Sequence, residues 1–109
     1  MAYDEGLAQR LREQLERRRG ITEKKMFGGL CFMQHGHMFL GVMKDKIMAR
    51  VGPDHHADAL RLPHVRVMDF TGRPMKGYVY VELVGLESDA QLATWVERTL
   101  SFVSTLPPK

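Results

Sequence analysis

One cysteine, Cys31, leaves no partner for an internal disulfide. The fold must rest on its core alone, as small domains do in a reducing compartment. No apolar stretch approaches the ~20 residues that a bilayer span requires, because charge or glycine interrupts each one. Asp4 and Glu5 stand where a secretory leader would be basic and then apolar. These absences predict a cytoplasmic protein without membrane contact. A large excess of one charge is missing too: 16 Lys and Arg are interleaved with 13 Asp and Glu, for a net charge of +3. That mixture gives no uniform field of the kind an obligate nucleic-acid binder carries. No Gly-x-Gly-x-x-Gly, Gly-x-x-x-x-Gly-Lys or Gly-x-Ser-x-Gly occurs, which removes the common phosphate-cradling loops and the nucleophile elbow. The expectation is a chain that is not an enzyme and holds no cofactor and no metal.

What is present fits one domain over residues 1–109, with 44% hydrophobic and 27% charged residues, close to the average globular chain. Leu7, Leu11 and Leu15 recur every fourth position, predicting an amphipathic helix from Asp4, its cap, to Arg19, with Gly20 as its left-handed stop. The basic run Arg17-Arg18-Arg19, with Lys24-Lys25 beyond it, then sits near a helix C-terminus, where cations complement the dipole. Met26 to Val51 is rich in Phe, Leu, Val, Ile and Met and breaks at His35-Gly36 and Lys44-Asp45, which predicts three strands joined by tight turns. His55 to Leu62 reads as a short helix that Pro63 ends. Val65 to Phe70 and Gly77 to Val84 read as a hairpin around Thr71-Gly72-Arg73-Pro74. Ser88 and Gln91 form a capping box for a last helix striped by Leu92, Val96, Leu100 and Val103 and widened by Trp95, Phe102 and Leu106. The order α-β-β-β-α-β-β-α contains no βαβ alternation. It predicts a two-layer α+β fold, a mainly antiparallel sheet with helices on one face.

Seven of the eight methionines fall between Met26 and Met75, across the predicted strands. Cores use this residue sparingly, as a flexible gap-filler. Strand alternation sends Ile47, Ala49 and Val51 to one face and Met48 to the other, and sets Val79, Val81 and Leu83 against Tyr78 and Tyr80. A face with Met48, Met68, Phe70, Tyr78 and Tyr80 is too apolar to stand open to water. It predicts either a protein partner covering that face or loops that wrap these residues into the core. A basic set, Lys24, Lys25, Arg50, Arg73 and Lys76, with a pI of about 9.2, motivates the alternative of weak nucleic-acid binding. The last two belong to Phe70–Gly77, whose cations and glycines read as a solvated loop before an anion site. Cys31, His35 and His37, with His55, His56 and His64, are soft or borderline metal ligands. Their spacing across a turn does not make a four-ligand site, and Cys31 reads as a small core residue.

Lys25-Met26-Phe27-Gly28-Gly29-Leu30, followed by Phe32, Gly36 and Met38-Phe39, resembles the opening strands of the TfoX N-terminal domain, the family of the TfoX/Sxy competence regulators. The leading helix, the Ile47–Val51 run and the Trp95 helix are similar to the same domain in order. Small stand-alone members share the Met68–Gly77 segment. The resemblance implies a fold like that of the secretion chaperones and frequent dimers. It also implies a regulatory or adaptor role in competence or transcription that works by protein–protein contact, most simply as a homodimer.

Overall fold

The computed structural model describes residues 3–26, 28–69, 72 and 75–107. Leu7, Ala8, Leu11 and Leu15 line one buried stripe of α1 (Glu5–Leu15), and Asp4 caps the helix by accepting the Leu7 amide at 2.9 Å. The helix stops four residues short of Arg19. After Leu15 the four-residue apolar repeat ends, and Arg17, Arg18 and Arg19 offer nothing to bury against the sheet. The basic run therefore lies in the connection beyond the helix, where Arg18 pairs with Glu97.

The chain then enters β1 (Ile21–Met26), a strand where the sequence predicted none. It is followed by β2 (Gly29–Gln34), β3 (His37–Val42), β4 (Lys46–Arg50), α2 (His56–Leu60), β5 (Val65–Val67), β6 (Tyr78–Glu82) and α3 (Asp89–Val103). The six strands form one antiparallel sheet in the order β1-β2-β3-β4-β6-β5. With the added strand, the predicted architecture holds: α+β, antiparallel, helices on one face. The turn between β2 and β3 has positive φ at both His35 and Gly36, the geometry of a tight two-residue hairpin.

One face of the sheet presents Leu30, Phe32, Leu40, Val42, Ile47, Ala49, Val79 and Val81 to the buried sides of α1 and α3, forming the main core. The ladder slips once. Phe32 pairs with Leu40 but the next residue, Met33, pairs with Met38, so Phe39 is the extra residue of a β-bulge. Two consecutive side chains, Phe39 and Leu40, thereby enter the same core, both fully buried. At the C-terminal side, Ser88 and Gln91 make the predicted capping box, and Leu92, Trp95, Val96, Leu100 and Val103 are buried along α3. Arg12 of α1 holds Glu23 of β1 through two contacts of 2.9 Å, which fastens the edge strand to the helix layer. Among the described residues no helix is long and apolar enough to cross a membrane.

Candidate interaction face of the sheet

The second face has no helix on it. Register alone assembles it: Lys24 pairs with Cys31, Cys31 with Gly41, Gly41 with Met48, Met48 with Tyr80 and Tyr80 with Arg66. These six residues form one row across all six strands, every side chain on the side away from the helices. Around the row a second cluster forms, separate from the main core: Cys31, Met48 and Met68 are buried, with Met26, Met38, Met75, Tyr78 and Tyr80 packed on them.

Met68 and Met75 come from the β5–β6 connection, closed by the Met75 amide donating to the Met68 carbonyl at 2.8 Å. The connection lays its methionines on the sheet, so Met48 and Met68 are each only 3% exposed within the chain itself. Tyr78 and Tyr80 remain half-buried, as do Met33 and Met38. The side chains of the predicted partner face that solvent reaches are thus the two tyrosines. Phe70 lies outside the described residues.

Cations flank the tyrosines. Lys46 sits with Nζ 4.7 Å from the centre of the Tyr80 ring. Arg50 lies 5.6 Å from the Tyr78 ring and 5.4 Å from that of Phe102 on α3. Arg66 pairs with Glu82 at 3.2 Å. A shallow cleft of about 500 Å³ lies here, walled by Lys46, Arg66, Asp69, Tyr80 and Glu82. Lys46 and Arg66 had no place in the sequence-derived set, although the period-two rule applied from Tyr80 outward would have pointed to both. A second cleft, of about 580 Å³, opens on the helix side between Gly52–His55 and the end of α3.

The basic set named from the sequence does not gather into one patch. Lys24 is exposed on the second face of β1, while its neighbour Lys25 points to the helix side, by the pairing of Lys25 with Leu30. Arg50 is engaged with two aromatic rings, Lys76 is exposed in the turn before β6, and Arg73 lies outside the described residues. The histidines diverge as well. The His35 ring packs over Gly20, His37 Nε2 lies 2.6 Å from the Pro107 carbonyl, and Cys31 is in the second cluster. Among the described residues no three His, Cys, Asp or Glu side chains converge on a metal position.

Cys31 is 1% exposed, and burial pushes its thiol above the ordinary range. A protonated, shielded thiol is a poor nucleophile. Iodoacetamide should therefore leave Cys31 unmodified in the native protein at neutral pH and label it fully in denaturant. Rapid native labelling, followed by mass spectrometry, would show that the methionine cover is open.

The TfoX N-terminal domain matches residues 13–103 of the 109-residue chain. This chain belongs to the TfoX N-terminal domain family. The match takes in all six strands of the domain and almost the whole of α3, so the sheet and both of its faces are family structure. No curated protein and no solved structure matches the chain.

Proposed function

We propose that this TfoX N-terminal domain is a non-catalytic regulatory or adaptor module, serving competence or transcription control, that acts by protein–protein contact. Its contact surface is the second sheet face around Tyr78 and Tyr80, through which two copies also associate. The observation that carries this reading is the asymmetry of the sheet: all helices pack on one face, while the other presents half-buried tyrosines ringed by Lys46, Arg50 and Arg66. Tyrosine joins a large apolar body to a polar tip and, with Arg, is enriched where proteins bind one another. The methionines beneath can repack against more than one partner shape.

Sedimentation equilibrium of the wild type and of Tyr80→Asp tests the proposal. The wild type should show a concentration-dependent dimer that Tyr80→Asp reduces to monomer, with the circular-dichroism spectrum unchanged. A monomeric wild type, or a variant that dimerises equally well, would remove this face as the site of self-association. Lys24 and Arg50 share the face with two aromatic rings, a pairing that also suits single-stranded nucleic acid. That second reading requires an affinity for an oligonucleotide that falls steeply between low and physiological salt.

A further inference from the structure

Beneath the tyrosines, sulfur is concentrated to a degree that packing alone does not require. Met26 ends β1, Cys31 lies in β2, Met43 follows β3 and Met48 lies in β4. Alternation and register turn all four toward the second face, on four adjacent strands. Together with the backbone of Gly29, Gly41 and Val42 they line an enclosed void of about 10 Å³. The space exists because position 41 has no side chain. A Cβ there would stand 2.9 Å from the Met48 methyl carbon and 3.4 Å from Cys31 Sγ, so the thiol and the thioether close over Gly41 from its two neighbouring strands.

The void fits no ordinary occupant well. A water needs two to four polar partners, whereas this lining is carbon and sulfur, and the Cys31 thiol has only a long approach of 3.9 Å to the Met26 carbonyl. Thiolate and thioether sulfur are soft ligands that select Cu(I) over hard cations. We infer that Cys31, Met26, Met43 and Met48 form a binding site for a single monovalent soft metal ion, Cu(I). Loading exchanges the thiol proton for the metal: the S–H bond breaks, a Cu–S bond forms, the proton passes to solvent and copper stays Cu(I). No oxidant or reductant is consumed. Half-buried Met26, at the rim of the cluster, is the side chain whose movement admits the ion.

This site is independent of the protein-binding reading, and its test uses no partner. The full chain is titrated anaerobically, with ascorbate present, against the coloured Cu(I)–bicinchoninate complex. The wild type should withdraw about one equivalent of copper, while Met48→Leu and Met26→Leu, which keep volume and apolarity, should each weaken binding by roughly tenfold or more. Cys31→Ala should abolish it, and the wild type should release a proton on loading. The leucine variants preserve the core, so they decide the matter even if Cys31→Ala folds poorly. Copper left with bicinchoninate by the wild type would overturn the inference. So would undiminished binding in the leucine variants, which would place the metal on surface histidines.

Discussion

Phe39→Ala should lower the free energy of unfolding by about 3–5 kcal/mol, the range for removing a fully buried ring and leaving a cavity. Total stability of a domain this size is about 5–15 kcal/mol, so the variant should melt close to ambient temperature or fail to accumulate. The reason is the bulge. In an uninterrupted ladder Phe39 would alternate with Leu40 and fall on the second face, beside Cys31 and Met38. The slip between Phe32–Leu40 and Met33–Met38 instead rotates Phe39 into the main core, where it is fully buried. Met38→Ala, in a half-buried position on the other face, should cost distinctly less. Urea unfolding measures both: the midpoint of Phe39→Ala should fall far below that of Met38→Ala at a similar m value. Equal losses in the two variants would mean a regular ladder without the bulge.

That bulge also marks where reading the sequence stops. The elements with strong local signals are visible in it. The Leu7–Leu11–Leu15 stripe, the Ser88–Gln91 box and the α3 stripe each repeat at the helical period or carry a cap of their own, and each appears in the structure. The alternation at Ile47–Val51 and Tyr78–Leu83 likewise assigns faces that the structure keeps as far as Val81. β1 left no such trace. Thr22, Glu23, Lys24 and Lys25 are all exposed, so neither alternation nor an apolar run marks them as a strand. Charge is how natural sheets protect an edge from unwanted pairing, and it erases the pattern that a sequence reader looks for. The three arginines before it were assigned to a helix for the same lack of a competing signal.

The second face was legible in outline only. Its residues could be named because Met48, Tyr78 and Tyr80 sit at odd-even positions opposite core residues. What covers them depends on a long-range event, the folding of Met68 and Met75 back onto the sheet. No local periodicity encodes that event. The role of Gly41 was equally hidden, because an isolated glycine in a strand announces a close approach without saying what approaches. In the structure it is the floor on which Cys31 and Met48 meet.

Met48→Asp and Tyr80→Asp should part company, although both residues lie on the same face and pair directly across β4 and β6. Met48 is 3% exposed and packed among Cys31, Met68 and the surrounding methionines and tyrosines, so a carboxylate there would be buried among sulfur and aromatic groups. An ionised group left without compensation in such a place costs about 3–5 kcal/mol or more. At roughly 4–8 °C per kcal/mol, that lowers the melting temperature by more than about 12 °C. Acidification should recover part of the loss, because the site raises the pKa of the new carboxyl and its neutral form is less costly to bury. Half-buried Tyr80 can turn its substituted carboxylate to water, and Lys46 nearby is a cation to receive it. Its variant should therefore keep most of the wild-type stability and lose only association. Thermal melts followed by circular dichroism at neutral and acidic pH distinguish the two. If Met48→Asp melted like the wild type, the methionine would have to be reachable by solvent and partners alike. The cover provided by Met68 and Met75 would then be a lid that opens freely, and the protein-binding surface would extend through it to the floor of the sheet.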